Sequence, residues 1–506
     1  MGLLAVSSGR KTRPCFLFFT FLLPACTLPL QTGQTFANMV IMNTHVQRFR
    51  TLICLLAFLG WSQSGYTQPT QTEKSGWKVT QNILDNGLTV LILEDQRAPV
   101  VTLQVWYRVG SRNERPGITG ISHLLEHLMF RGTPTYGKGE FSRLVQERGG
   151  RHNAFTSTDH TVYFESAAVQ HLDLFLELEA DRMAHLILDD EGFAAEQKIV
   201  MEERRLRTAD EPGSDIWEQV SAAAFTAHPY GWPIVGWMHD LESIALEDVK
   251  AYRQAYYAPG NATLVIAGDV TSATLLPKIQ ETFGKVPAGP TIPVVTSVEP
   301  PQRGERRVFL RRPASLPIYI AGYHVPNLEQ DESFALSLAA VILGGGRSAR
   351  LQRSLVEDKQ LVLSANAGYD RTSKDPPLFT LSMRIAPGKT WQEAEKALYA
   401  EVERLQTLPV TANDLERAKN LVESRFIYGQ DSLFYRAMQL GQYASLGDWR
   451  LIHKVIPGLR AVTAEQVQLA VQKYLTENNR TVGILEPDGT PIRESPRGGP
   501  GRTSAH

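Results

Sequence analysis

LESIALEDVKAYRQAYYAPGNATLVIAGDV, residues 241–270, reads as a short turn, an amphipathic helix centred on Val249, a tyrosine, an asparagine and an apolar run that suits a buried strand. About 220 residues further on, IPGLRAVTAEQVQLAVQKYLTENNRTVGILEPDG, residues 456–489, repeats that order around Val467. Such a recurrence points to a duplicated domain. Upstream of each copy the pattern continues. GLTVLILEDQRAPVVTLQVWYRVGS predicts two strands before the helical stretch GISHLLEHLMF, and RRVFLRRPASLPIYIAGYHVP predicts two strands before SFALSLAAVILGGG. The expected fold is therefore α+β, with two homologous half-domains, each a mostly antiparallel sheet packed with helices. They are expected at residues 76–286 and 306–489, joined across 287–305, where prolines and glycines favour an extended linker.

The flanks differ from this body. Two apolar runs, each preceded by positive charge, lie in the first 68 residues: CFLFFTFLLPAC after Arg10, Lys11 and Arg13, and LICLLAFLG after Arg48 and Arg50. Both are short for a membrane span and have the form of export-signal cores, so residues 1–68 are expected to be a leader and the mature chain to be periplasmic, without an integral span. Leu23-Pro24-Ala25-Cys26 has some likeness to a lipoprotein cleavage box. Residues 490–506 lack apolar periodicity and are expected to be a disordered tail. All three cysteines, Cys15, Cys26 and Cys54, fall in the leader, which excludes disulfides, cysteine catalysis and thiolate metal sites from the mature chain. A formal net charge of -1 gives no electrostatic reason to expect nucleic acid as a partner.

In GISHLLEHLMF, Ile121, Leu124, Leu125 and Leu128 recur at helical spacing, and Gly132 and Pro134 follow as a stop. His123 and His127 are four residues apart and project from one face, a spacing that lets two imidazoles grip one zinc ion. Glu126 lies beside them, in reach of a water on the same metal, as a general base must be. A catalytic zinc also needs a third protein ligand. Downstream, DDEGFAAEQKIVMEERRLRTADEP predicts a glutamate-rich helix, with Glu196 and Glu203 two turns apart on one face. On their own these glutamates read as the charged face of a solvated helix.

HLLEH followed by EQKIVMEERR resembles the inverted zinc motif of the pitrilysin and mitochondrial-processing-peptidase family of metallopeptidases. The resemblance extends through GGRHNAFTSTDHTVYFES (149–166), HPYGWPIVG (228–236), FGKVPAGP (283–290) and GGGRSARLQRSLVED (344–358). It implies that His123, His127 and Glu203 bind one zinc ion per chain, that Glu126 activates the water, and that Glu196 supports the site, with Glu202 as the alternative ligand. It also implies that Asn153, Ala154, Phe155 and Thr156 form an edge strand to which an extended peptide substrate adds. His152, His160 and His228 lie outside the motif and are expected to be structural.

The family commonly stabilises the oxyanion with an Arg and a Tyr from a second half-domain; here Val356 and Leu363 stand at those positions, and neither side chain donates a hydrogen bond. Tyr369, Arg371 or Lys359 could substitute in a shifted register. Single-chain members have four half-domains, whereas this chain has two. The resemblance thus implies a zinc endopeptidase acting on short or unfolded peptides in a closed chamber, as the zinc-bearing subunit of a heterodimer whose homologous partner supplies the Arg and Tyr, with a homodimer as the alternative assembly. The alternative is a non-catalytic structural or assembly subunit of the same family.

Overall fold

VVTLQVWY, residues Val100–Tyr107, is buried at every position but its first, so this strand is covered on both faces. In a computed structural model, which describes residues 77–490, it lies inside a six-stranded sheet. The leader, and the tail beyond residue 490, fall outside the described residues. The strands are β1 (Val79–Ile83), β2 (Thr89–Glu94), β3 (Val100–Tyr107), β4 (Arg151–Thr156), β5 (Thr161–Ala168), β6 (Ala262–Gly268), β7 (Arg306–Arg312), β8 (Ile318–His324), β9 (Val362–Gly368), β10 (Leu378–Ile385) and β11 (Arg480–Pro487). The first sheet runs β1-β2-β6-β3-β5-β4 and the second β7-β11-β8-β10-β9. In each, one parallel pair (β2 with β6, β7 with β11) adjoins an antiparallel set, so β2, β6, β3, β5 and β4 correspond one for one to β7, β11, β8, β10 and β9. Only β1 lacks a counterpart among the described residues. The duplication predicted from the sequence is thus present strand by strand.

Seven helices matter here: α1 (Ile121–Leu128), α2 (Asp190–Arg204), α3 (Pro212–Ala224), α4 (Leu246–Tyr256), α5 (Glu332–Gly344), α6 (Leu433–Ser445) and α7 (Ala464–Tyr474). Side chains alternate across β3 with period two. Val101, Leu103, Val105 and Tyr107 join Leu124, Leu125 and Leu128 of α1 in one core, whereas Trp106 joins Leu440 and Ala437 of α6 in the other. Thus α6, from the second half-domain, covers the far face of the first sheet, and the approach is close: a Cβ on Gly441 would meet the Trp106 indole at 2.0 Å. The cover is reciprocal. Ile216 and Val220 of α3, from the first half-domain, pack on Ile320 and Leu485 of the second sheet. Sheets covered on both faces need continuous apolar runs such as LVIAG rather than alternation, and those runs are what the central strands carry.

Residues 287–305 carry no helix or strand. The segment is anchored by Glu299, whose carboxylate accepts from the backbone N–H groups of Thr226 (2.9 Å), Ala227 (2.8 Å) and His228 (3.0 Å).

Candidate metal centre

Helix α1 starts at Gly120, whose φ of 90° is left-handed and where a Cβ would lie 2.4 Å from the Val235 carbonyl oxygen, so only glycine fits. Gly120 has no side chain to cap the helix. That function passes to the buried Glu114, whose carboxylate accepts from Gly120 N (2.7 Å) and Ser122 N (2.9 Å). Ser122 Oγ also bonds Tyr252 Oη of α4 at 2.8 Å. These contacts fix the rotation of α1 about its axis, which decides where its polar residues point.

One turn apart on α1, the rings of His123 and His127 lie with centroids 4.9 Å apart. Helix α2 brings Glu203 against both: Oε2 is 3.6 Å from His123 Nε2 and 3.7 Å from His127 Nε2. That oxygen is buried between the two imidazoles. The three donor atoms lie within 4.8 Å of one another. Ligands bonded at about 2.0–2.1 Å in a tetrahedron stand about 3.3–3.4 Å apart, so two imidazole nitrogens and one carboxylate oxygen at these separations fit a zinc ion with little movement. Two nitrogens and a carboxylate are also the donor chemistry of a hydrolytic zinc site with an open position.

The electrostatics agree with a cation site. Burial opposes a charge on His127, but the Glu196 and Glu203 carboxylates outweigh it and raise the imidazole pKa to about 9. The site therefore favours positive charge between these groups, as a proton or as a metal ion that displaces it. Glu203 is held well below the usual carboxylate range, chiefly by the His127 contact. Glu196 sits behind the pair, with Oε2 3.4 Å from His127 Nδ1 and Oε1 accepting from Arg131 Nη1 at 3.3 Å. Such a chain orients a ligand imidazole through the nitrogen that does not face the ion.

Glu126, on the same helix, accepts a 2.5 Å hydrogen bond at Oε2 from Thr156 Oγ1. Burial raises its pKa, and the Thr156 hydroxyl works against that rise. Among the described residues, strand β4 is the edge of the first sheet, paired with β5 alone. Ser157 N donates to His160 O at the hairpin turn, so by the two-residue alternation of an antiparallel ladder the Ala154 and Thr156 backbone groups face the open edge. Ala154 N–H is bonded at 2.9 Å by the Asn153 side-chain oxygen. The Phe155 ring points to the opposite face, against Trp106 and His160. His123, His127, Glu203, Glu126 and Glu196 are thus brought together, with Thr156 joined to them through its side chain.

Other candidates lie apart from the cluster. Glu202 is exposed and pairs with Arg205 at 3.1 Å. His152 packs tilted against Phe130, His160 against Trp106, and His228 bonds Asp375 at 3.0 Å. Sequence reasoning missed Arg131, which lies in the turn that follows α1. It also missed the Thr156 hydroxyl, the Glu114 cap and Arg207, which reaches Glu203 Oε1 at 3.4 Å. Arg207 sits in a π-helical turn, Arg205–Ala209, and also lines a cavity of about 760 Å³ with Trp217, Trp232 and Tyr369. Insertions of this kind interrupt helices at functional sites.

Two family models match the chain: one described as Insulinase (Peptidase family M16), over residues 89–236, and one described as Peptidase M16 inactive domain, over residues 243–422. The zinc protease PqqE of Helicobacter pylori is 33% identical over 415 residues, covering 80% of this chain and 92% of that protein. A solved protease from Helicobacter pylori superposes with a TM-score of 0.79 at 30% identity, covering 81% of this chain and all (100%) of that one. The periplasmic protease PqqL of Escherichia coli is similar in fold, with a TM-score of 0.68 at 18% identity, and the match covers 81% of this chain but 47% of PqqL.

Proposed function

The chain belongs to peptidase family M16, and from that premise we propose that it is a zinc-dependent endopeptidase acting on short or unfolded peptides, the zinc-bearing subunit of a heterodimer. The observation that carries this reading is the convergence of His123, His127 and Glu203 on one point, with Glu126 beside it. His123 Nε2, His127 Nε2 and Glu203 Oε2 would hold one Zn²⁺ per chain. When bound, the ion supplies Lewis acidity to a scissile carbonyl and brings the pKa of a water towards neutrality.

Glu126 then takes a proton from the attacking water and returns it to the leaving amine. Thr156 holds that carboxylate in place, and the Arg131–Glu196 chain fixes the His127 ring. The open edge of β4 receives the peptide backbone as an added strand, with Ala154 and Thr156 offering the bonding groups and the Asn153 side chain giving up Ala154 N–H. The cavity walled by Trp217, Trp232 and Tyr369 has room for a large apolar side chain beside the site.

The oxyanion donors are assigned to a homologous partner. Val356 packs against the second core and Leu363 is 54% exposed; neither can donate. The three residues that could replace them are engaged within their own half-domain. Tyr369 Oη donates to Pro326 O at 2.5 Å, Arg371 contacts Ser337 Oγ and Tyr443 Oη (both 3.4 Å), and Lys359 bonds Ser354 Oγ at 2.7 Å. The match to 47% of PqqL supports a chamber built from two such modules. The missing donors also support a second reading, a non-catalytic assembly subunit. Export to the periplasm rests on the leader; among the described residues no helix is long and apolar enough to cross a membrane.

Metal analysis of the purified chain tests the site: one zinc per chain is expected, lost in a His123→Ala, Glu203→Gln double variant. Zinc undiminished in that variant overturns the ligand set. Full turnover by the isolated chain would overturn the heterodimer.

A further inference from the structure

The β4–β5 hairpin of the first half-domain and the β9–β10 hairpin of the second are equivalent by the duplication, and their tips meet. Asp159, in the first tip, is part-buried and accepts from Lys374 N of the second tip at 3.1 Å. It also accepts from Tyr230 Oη, at 2.8 Å and 2.9 Å to its two oxygens. Tyr230 Oη in turn accepts from Asp375 N at 3.0 Å. The Asp375 carboxylate bonds His228 Nε2 at 3.0 Å and pairs with Arg112. Six residues from four separate segments thus close one polar network in which each acceptor has a donor.

What the network touches is informative. Arg112 lies in the 3-10 turn Ser111–Asn113 that precedes α1, and that turn bonds the hairpin tip directly, Ser111 N to Ser157 O (3.2 Å) and Arg112 N to Thr158 O (2.9 Å). Asp159 follows Thr156, the partner of Glu126, by three residues. His228 and Tyr230 begin the loop 228–236, whose far end abuts Gly120, and Trp237 N donates to Thr119 Oγ1 (2.9 Å) just before α1. Every first-half element in the network therefore leads within a few residues to the edge strand or to the zinc helix.

We propose that Lys374 and Asp375 of the second half-domain, acting through Asp159, Tyr230 and Arg112, form a positioning clamp that holds strand β4 in register with helix α1. The half-domain without metal ligands thus sets where the peptide backbone lies relative to Glu126. The clamp acts on the strand that receives the extended peptide and so rests on the functional reading above. Its members are positioning residues, since none touches the reacting atoms.

Tyr230→Phe is the mildest test, because it removes one oxygen and keeps the ring. Losing a hydrogen bond to a part-buried carboxylate corresponds to about a tenfold change in a local equilibrium. In the full chain, amide exchange at residues 153–160 is expected to quicken about tenfold in Tyr230→Phe, with β8 and β11 unchanged. The KM of a long peptide is expected to rise by a similar factor, with kcat and zinc content within about twofold of wild type. Asp375→Ala should act in the same direction, and Asp375→Glu should recover part of the loss. Exchange that rises uniformly over both sheets, or hairpin exchange that stays at the wild-type rate, overturns the clamp. The exchange readout needs no activity. A wild-type chain without zinc or turnover would therefore defeat the protease reading while leaving the clamp to be judged by its own measurement.

Discussion

Thr156→Val removes a single hydroxyl from the site at nearly constant volume. In the structure that hydroxyl donates a 2.5 Å hydrogen bond to Glu126 Oε2, and burial of the carboxylate makes the bond matter. A hydrogen bond to a charged acceptor is worth about 1.5–3 kcal/mol, which is roughly one to two pH units in the pKa of the acceptor. The sign follows from which form the donor favours. Thr156 stabilises the carboxylate, so its loss raises a pKa that burial has already raised, and a general base works only above its pKa. The acid limb of the kcat/KM profile should therefore move up by about one to two units, so that the rate falls at any pH on that limb while the plateau above it is kept. Because the Thr156 backbone still lines the open edge of β4, KM should change little. Thr156→Ser retains the donor and should restore most of the rate. A quenched-peptide assay across pH for the three proteins decides the matter: a Thr156→Val profile that overlays wild type would show that the hydroxyl does not tune Glu126.

Four further outcomes follow from other contacts. Glu126→Gln should retain stoichiometric zinc by metal analysis while losing turnover, since the proposal makes Glu126 the base and leaves it out of the ligand set. Glu196→Gln should weaken zinc binding by about 10–100-fold in a competitive chelator titration, the usual scale for a group that orients a ligand imidazole. Gly441→Ala should lower the melting temperature: the helix gains about 1 kcal/mol from alanine, but a Cβ placed 2.0 Å from Trp106 costs about 1–3 kcal/mol, and overpacking wins. Asp375 is held down at about 2, His228 and Arg112 outweighing burial, so its contribution to stability is present above its ordinary pKa of 3.8 and is lost as pH falls towards about 2. Denaturation of Asp375→Asn should therefore lie below wild type at neutral pH and converge with it in acid.

The fold was legible because its signals are periodic. Two copies of a helix, a tyrosine, an asparagine and an apolar strand predicted a duplicated α+β chain, and five strands of each sheet follow the same order. Peptidase family membership was legible from motifs that keep their order along the chain. Within the candidate site, legibility followed sequence distance. His123, Glu126 and His127 share one short helix, and helical spacing alone puts them together. Arg131, in the turn just past that helix, was not within reach of the same spacing. Nor were Thr156 and Glu114, because a hydroxyl or a carboxylate in a loop or strand carries no periodic mark of the partner it meets in space. The Asp375 clamp was further out of reach, since its contacts depend on the way two half-domains face each other, which no local pattern encodes.

The two copies of the first helix show why the chain can carry a polar site. In α1, His123, Glu126 and His127 occupy positions that a stable core would fill with apolar groups, and each buried polar group costs stability unless it is satisfied. In α5, the equivalent helix, Phe334, Leu336, Leu338, Ile342 and Leu343 are buried instead, and the helix carries no histidine. Reciprocal cover then links the two: α6 closes the first sheet and α3 closes the second, so neither half-domain completes its core alone. The second half-domain therefore offsets the instability of the first and, through Lys374 and Asp375, also touches its edge strand. A half-domain bound by both demands is required for the fold and for the edge strand without contributing to the His123, His127 and Glu203 cluster.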